Sequence, residues 1–255
     1  MKLSHILIDV ERGVVDLGRS AVEKLIQNIA IQMRRAGLTY SIDRVYGDRI
    51  AIEVHNTSVD QCVEVLKRVF GIGAISPAIE TTIDPDLIAG GICSLLSPGD
   101  RVSIDIVCKG CSNQIELSDV IDRVGSCLKG VEFFSTGYSK RVSVEIVDGE
   151  AFIYSSSFEG AGGIPYGFMG RVASLVSGGI DSSIATWIAM RMGYSVTPIH
   201  FSLRPFYGED AWSRTLDSLK WLREWVAEDT WEAYIVPLGP IHSEIEVRPS
   251  YRCIL

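Results

Sequence analysis

Residues 177–182, Ser-Gly-Gly-Ile-Asp-Ser, are the stretch of this chain best suited to chemistry. They follow the apolar run 172–176 and precede a helical pattern that starts near Ser182, which predicts a strand, a turn and a helix. Gly178 and Gly179 lack a Cβ, so the turn can take positive φ and lie close to a ligand. Backbone N–H groups in such a turn, together with the start of the following helix, bind anions. The stretch therefore predicts a pyrophosphate-binding loop.

Two other phosphate or acyl motifs do not fit this stretch. No Gly-Lys-Ser/Thr follows the glycines, so it is not a Walker loop. The order of residues also differs from the Gly-x-Ser-x-Gly nucleophile elbow. The remaining alternative is an ordinary strand-to-helix turn in which Asp181 and Ser182 cap the helix.

Length and composition favour a folded protein of two or three domains. The chain has 255 residues, of which 47 % are hydrophobic and 22 % charged, which is typical of soluble globular proteins. No uncharged stretch reaches the roughly 18 residues that a membrane helix needs. Asp9 and Glu11 stand where a signal peptide would need an apolar run. We therefore expect a cytoplasmic protein without a membrane partner.

The charge of −8 is distributed unevenly. The net charge is +1 over residues 1–75, −7 over 76–169 and −2 over 170–255. Nucleic-acid binders usually carry a basic surface. Any such surface on this chain must therefore be local.

Six cysteines in a chain of this length favour free thiols over a disulfide framework. Cys108 and Cys111 form a lone Cys-x-x-Cys, and Cys93 and Cys127 could complete a zinc site with them. These spacings fit no common zinc pattern. Buried or incidental thiols are the preferred interpretation, and no metal site is predicted.

The first part of the chain has a ferredoxin-like pattern, strand–helix–strand–strand–helix–strand. The predicted elements are strand 4–10, helix 20–36, strands 39–45 and 49–54, helix 59–70 and a strand after 71–76. Gly47-Asp48 predicts the turn of the first hairpin.

A second unit follows, again with mixed strands and helices. The predicted elements are a helix from Asp84 or Asp86 to Leu96, strand 101–108, helix 118–129 and a hairpin of strands 142–147 and 151–155. Asp148-Gly149 predicts the turn of this hairpin. Residues 160–170 hold five glycines and a proline, which indicates a boundary loop.

The last part alternates strands and helices, as parallel α/β sheets do. We predict strands at 171–176, 195–201 and 231–238, and helices at 182–192 and 210–227. Ligands of such sheets bind beyond the carboxyl ends of the strands. Residues 177–182 and the pair His200-Phe201 should therefore face one crevice. Trp221 and Trp225 share one face of the second helix and are interpreted as core.

Several segments in order resemble the tRNA 4-thiouridine synthetase family. They are Phe70-Gly71-Ile72-Gly73, Ile75-Ser76-Pro77-Ala78, Gly162-Gly163-Ile164-Pro165-Tyr166-Gly167, residues 177–182, His200-Phe201, Val236-Pro237-Leu238 and Tyr251-Arg252-Cys253. The resemblance implies an α+β part followed by an α/β part. The implied divisions are a ferredoxin-like domain (1–75), a THUMP RNA-binding domain (76–160), a Gly-rich linker (161–170) and the first part of a PP-loop ATP pyrophosphatase domain (171–255).

The resemblance also implies an activity. ATP would adenylate O4 of a tRNA uridine, and a sulfur donor or sulfur-carrier protein would then displace AMP. The residues implied to bind ATP are Leu175, Val176, Ser177, Gly178, Gly179, Asp181, Ser182, His200 and Phe201. Asp181 is implied to hold Mg²⁺ or organise the loop. His200 as an ordinary strand-end histidine remains the alternative.

The family pattern further implies RNA contacts and a cysteine site. The residues implied to contact RNA are Lys109, Lys140 and Arg141. Cys253 is implied to be catalytic or to hold an iron–sulfur cluster with a second cysteine, which would fall just beyond Leu255. The PP-loop part has only 85 residues here, about half of a complete domain, so we expect a truncated chain. Pairing of two chains is also implied.

Two alternatives to the tRNA sulfurtransferase hypothesis remain. One is a non-catalytic tRNA-binding THUMP protein with a vestigial nucleotide domain. The other is a PP-loop enzyme that transfers sulfur towards the thiazole of thiamine, which the −7 middle segment favours slightly.

Overall fold

The structure is a computed structural model that describes residues 2–109, 115–204 and 209–241. Its strands are β1 (His5–Val10), β2 (Thr39–Tyr46), β3 (Arg49–His55), β4 (Ile72–Thr82), β5 (Arg101–Lys109), β6 (Glu132–Phe133), β7 (Lys140–Val147), β8 (Glu150–Tyr154), β9 (Phe158–Glu159), β10 (Arg171–Leu175), β11 (Ser195–Ser202) and β12 (Tyr234–Pro237). Its helices are α1 (Arg12–Asp16), α2 (Arg19–Arg35), α3 (Val59–Leu66), α4 (Pro85–Leu95), α5 (Leu117–Cys127), α6 (Ile180–Arg191) and α7 (Glu209–Arg223). Within the described ranges, every helix is too short or too polar to span a bilayer.

The chain divides into two compact units. The first unit contains Met1–Val10, Ala36–Lys67 and Ile72–Gly160, and the second contains Glu11–Arg35, Arg68–Gly71 and Ala161–Leu255. Helix α2 is the second element of the ferredoxin-like order, but its contacts group it with the second unit. The domain boundaries given above remain a prediction.

One mixed sheet organises the first unit. Its strand order is β2-β3-β1-β4-β8-β7-β5-β6, with β9 beside β4. The long strand β4 connects the two halves of the sheet: it pairs with β1 from Ile72 to Ala78 and with β8 from Ile79 to Thr82. Both predicted hairpin turns are confirmed. Asp148 and Gly149 have φ of 48° and 89°, and the backbone of Gly47 has φ 56°, as tight hairpins require.

Helices α4 and α5 cover one face of the β5–β8 half of this sheet. The alternating residues Val102 and Ile104 of β5 lie in the core that these helices close. Asp84 is the N-cap of α4, because its carboxylate accepts hydrogen bonds from the N–H groups of Asp86 (2.8 Å) and Leu87 (3.1 Å). This outcome settles the choice between Asp84 and Asp86.

The expectation of free thiols was wrong for three of the cysteines, Cys93, Cys108 and Cys127. Cys93 of α4 and Cys127 of α5 form a disulfide, with Cα atoms 6.7 Å apart, so they cannot complete a zinc site as thiolates. The two helices pack side by side, which brings these positions together although 34 residues separate them. Cys108 also takes part in a disulfide, and Cys111 lies outside the described residues. Cys62 is a buried free thiol.

Two ion-pair clusters tie strands of the first unit together. Arg49 of β3 pairs with Asp9 of β1 and, at 3.0 Å, with Glu145 of β7, whose side chain is 3 % exposed. In the second cluster, the Glu80 carboxylate lies 3.2 Å from His5 Nε2 and 3.3 Å from Arg44 Nη2. Burial raises the pKa of Glu80, and the nearby His5 offsets this only in part.

The second unit contains a parallel sheet of order β10-β11-β12. The parallel arrangement predicted from alternating strands and helices is thus confirmed. Its core contains Phe70, Tyr166, Met190, Val196, Leu222, Val226 and Ala227. Trp225 stacks on Phe70 at 5.4 Å and belongs to this core, whereas Trp221 is 43 % exposed.

Hydrogen bonds from α2 hold the glycine-rich segment and the end of α7 in this unit. Asn28 Nδ2 donates to the carbonyl of Tyr166 at 3.1 Å. Gln32 Nε2 donates to the carbonyls of Glu224 (3.1 Å) and Val226 (3.2 Å). Helix α2 is therefore an integral part of the second unit.

Candidate functional site

The candidate site lies where β10 and β11 end. Strand β10 ends at Leu175, and α6 begins at Ile180, two residues earlier than predicted. In the parallel register Leu175 lies opposite Ile199, so His200 comes next to Val176. The Nδ1 atom of His200 is 2.8 Å from the Val176 carbonyl oxygen. The two predicted segments, 177–182 and His200-Phe201, thus lie together as expected for a parallel sheet.

Glycine and serine shape the loop between β10 and α6. Gly178 has φ +80°, a left-handed conformation that favours glycine. Ser182 Oγ accepts from the N–H of Ser177 at 3.2 Å and donates to the Gly179 carbonyl at 3.0 Å. Ser177 Oγ accepts from the N–H of Gly179 at 3.4 Å. These hydrogen bonds shape the exposed loop and engage the N–H groups of Ser177 and Gly179. An oxyanion would therefore use the N–H groups of the first turn of α6, which no side chain caps.

Asp181 lies in the first turn of α6 and is exposed. The N-cap position belongs to Gly179, and no side chain caps the helix. The alternative that Asp181 or Ser182 caps α6 is therefore wrong. A carboxylate in the first turn is favoured by the helix dipole, and its oxygens are the type of ligand that Mg²⁺ prefers.

The predicted nucleotide-binding residues differ in exposure. Leu175 and Phe201 are 60 % and 41 % exposed, whereas Val176 is 2 % exposed. The backbone N–H of Val176 donates a hydrogen bond to the Ile199 carbonyl at 2.9 Å, which fixes the chain just before the loop. The exposed pair at the carboxyl end of the sheet can provide an apolar surface beside the loop.

The predicted RNA-binding residues are not brought together. Lys140 and Arg141 begin β7, where Lys140 Nζ donates to the Leu95 carbonyl at 2.5 Å and Arg141 pairs with Asp105. Lys109 ends β5, and nothing is described of its side chain. In the register of the two parallel strands Lys140 lies opposite Val102 and Lys109 opposite Val147. Seven residues of strand separate these positions, about 23 Å at roughly 3.3 Å per residue.

One predicted catalytic residue cannot be placed, and two residues at the site were missed. Cys253 lies outside the described residues. Trp212 and Thr215 of α7 lie beside the loop and the end of β11. The ring centroid of Trp212 is 5.6 Å from that of His200, and Thr215 is fully buried. Their helix was predicted from its periodicity, but periodicity does not reveal which face meets a loop some 35 residues earlier in the chain.

Family models match both ends of the chain. The model described as the ThiI ferredoxin-like domain matches residues 19–76, and the model described as thiamine biosynthesis protein (ThiI) matches residues 167–255.

Relatives match over most of the chain. A probable tRNA sulfurtransferase of Methanosarcina acetivorans is 30 % identical over 229 residues, which are 85 % of this chain and 54 % of the relative. One of Brevibacillus brevis is 29 % identical over 241 residues, 90 % of this chain and 58 % of the relative. The chain thus spans little more than half the length of these relatives.

Solved structures share the fold. The crystal structure of a 4-thiouridine synthetase–RNA complex with bound ATP has a TM-score of 0.80 at 22 % identity, covering 97 % of this chain and 65 % of that one. A Pyrococcus horikoshii Ot3 protein has a TM-score of 0.77 at 18 % identity, covering 97 % of this chain and 84 % of that one. The ferredoxin-like order, the parallel sheet and its loop, and both family models lead to one conclusion: the chain belongs to the ThiI family.

Proposed function

We propose that this chain carries the nucleotide- and tRNA-binding parts of an ATP-dependent tRNA sulfurtransferase that makes 4-thiouridine. The observation that carries the proposal is the exposed loop at residues 177–182, in which left-handed Gly178 and the hydrogen bonds of Ser177 and Ser182 form a tight turn directly before the uncapped start of α6. The relatives named probable tRNA sulfurtransferase support the choice of substrate.

The proposed chemistry begins with activation of a poor leaving group. The uridine O4 attacks the α-phosphorus of ATP, the bond to the β-phosphate oxygen breaks, and pyrophosphate leaves. Hydrosulfide-level sulfur released by a donor then attacks C4, AMP leaves with the electron pair of the C–O bond, and loss of the sulfhydryl proton gives the thiocarbonyl. The chain's part is to bind the phosphates through the N–H groups of the loop, which stabilise the charge that develops on them.

Further partners belong to the same proposal. Asp181 is the residue proposed to hold Mg²⁺, which would offset the charge of the phosphates. For Cys253, the family pattern supports an iron–sulfur cluster shared with a further cysteine. The same pattern supports a separate sulfur donor, pairing of two chains, and a location in the cytoplasm with tRNA.

A second candidate is sulfur transfer to a small molecule. The description of the matching model as a thiamine biosynthesis protein favours it. The non-catalytic alternative is not favoured, because the relatives are named as sulfurtransferases. Binding of tRNA separates the first two functions, since phosphate contacts release counterions and make affinity strongly salt-dependent.

The test measures ATP binding first and turnover second. Isothermal titration with a non-hydrolysable ATP analogue and Mg²⁺ should give binding by the wild-type chain and about tenfold weaker binding by Asp181→Ala, a loss of about 1.4 kcal/mol. Asp119→Ala is the matched control, because Asp119 is also an exposed aspartate in a first helical turn, in α5 of the other unit.

Pyrophosphate release from ATP is then measured with and without unmodified tRNA. We expect release to depend on tRNA and to fall in Asp181→Ala but not in Asp119→Ala. A wild-type chain that binds no ATP analogue would contradict the proposal. Binding without tRNA-dependent release would leave nucleotide binding standing and reject the thiolation activity for this chain alone.

A further inference from the structure

Helix α7 lies directly behind the loop at Gly178. A Cβ added to Gly178 would lie 2.7 Å from the backbone nitrogen of Thr215, 2.8 Å from its Oγ1 and 3.0 Å from the carbonyl carbon of Arg214. These are two atoms of one threonine and the backbone just before it. The loop backbone thus rests on Thr215 with no room for a side chain between them.

The same threonine reaches the end of β11. Thr215 Oγ1 is 3.4 Å from Nδ1 of His200, and that nitrogen is 2.8 Å from the Val176 carbonyl oxygen. A carbonyl oxygen only accepts, so Nδ1 carries the ring proton and Thr215 Oγ1 lies as a second, longer acceptor of it. In the neutral ring this leaves Nε2 as the unprotonated nitrogen.

The side chain of Thr215 is buried together with the groups that it contacts. Thr215 is 0 % exposed, and a buried hydroxyl is costly unless it has hydrogen-bond partners. Trp212, three residues earlier on the same helical face, places its ring 5.6 Å from His200. One face of α7 therefore contacts both segments that form the candidate site.

We propose that Thr215 is a positioning residue for the nucleotide loop, acting through the backbone of Gly178 and the ring of His200. The inference rests on the proposed ATP site and adds to it a residue of α7 that does not touch the ligand. Because Thr215 acts through these two groups, losing its hydroxyl should change ATP affinity more than losing one methyl group does.

Three variants separate positioning from simple packing. Thr215→Val keeps the shape and removes the hydroxyl, Thr215→Ser keeps the hydroxyl and removes a methyl group, and Ser213→Val introduces valine at an exposed position of the same helix. Titration with the non-hydrolysable ATP analogue should give about three- to tenfold weaker binding for Thr215→Val, the range that one hydrogen bond produces. Thr215→Ser and Ser213→Val should stay within about twofold of wild type.

A second readout reports the geometry without ATP. Two-bond ¹H–¹⁵N correlation spectra of the histidine side chains, assigned with His200→Gln, should show His200 in the Nδ1–H form. An Nε2–H form would overturn the inference, as would equal ATP affinities of Thr215→Val and Thr215→Ser. If the wild type itself binds no ATP analogue, the proposed function fails, and the positioning role fails with it.

Discussion

Replacing Gly178 by alanine should destabilise the second unit through two separable effects. The first is backbone strain, because φ of +80° is left-handed and costs a residue with a Cβ roughly 1–2 kcal/mol. The second is overlap of the new methyl group with Thr215 at 2.7 and 2.8 Å. Overpacking of this kind costs about 1–3 kcal/mol. We expect a total loss of about 2–5 kcal/mol.

Gly170→Ala isolates the strain. Gly170 lies in the same unit and has φ +100°, but a Cβ there would have no atom within 4 Å. Its substitution should therefore cost only about 1–2 kcal/mol. The difference between the two variants, about 1–3 kcal/mol, measures the contact between the loop and α7.

The tryptophans provide an assay specific to the second unit. All five lie between Trp187 and Trp231, and residues 161–255 belong to that unit. Urea unfolding followed by tryptophan emission therefore reports the free energy of unfolding of this unit. If Gly178→Ala loses no more stability than Gly170→Ala, the loop does not rest on Thr215 and the geometry derived above is refuted.

Two further predictions concern buried polar groups. Tyr166 is 1 % exposed, burial raises its pKa to about 12, and its hydroxyl accepts a hydrogen bond from the N–H of Val196 at 3.1 Å. Tyr166→Phe should therefore lower the free energy of unfolding in urea by about 1–3 kcal/mol. The control Tyr234→Phe, at an exposed position, should change it by no more than about 0.5 kcal/mol, and equal losses would contradict the role of this bond. Burial raises the pKa of Glu80 above its ordinary value of 4.5. The contribution of Glu80 to the free energy of unfolding is therefore complete below pH 4.5 and is lost as pH rises through the folded-state pKa. Urea unfolding followed by circular dichroism should show the stability of the wild type relative to Glu80→Gln falling from pH 4 to 7, whereas a constant or rising difference would show that the ion pairs with His5 and Arg44 outweigh burial.

Local pattern was sufficient for most of the secondary structure. Hydrophobic periodicity located the long helices and strands, and the hairpin turns followed from Gly47-Asp48 and Asp148-Gly149. Short elements were missed: α1 has five residues, and β6 and β9 have two each, which is too few for a repeating hydrophobic pattern to show. The predicted helix 59–70 was also too long, because α3 ends at Leu66.

The loop at residues 177–182 could be predicted from neighbouring residues alone. The order of glycines and serines at 177–182 is a local property, and the alternation of strands and helices requires that His200 lie at the same edge of a parallel sheet. The family resemblance is carried by the same local segments. These parts of the site could be predicted because they depend on neighbours in the chain.

The contacts between residues far apart in the chain could not be predicted in this way. The pairing of Cys93 with Cys127, the two partners of β4, the grouping of α2 with the second unit and the contact of Thr215 with Gly178 all join positions far apart in the chain. Such contacts depend on how whole elements pack, and many packings satisfy the same hydrophobic pattern. A periodic pattern predicts which face of α7 is buried, but not that Thr215 on that face lies against the backbone of Gly178.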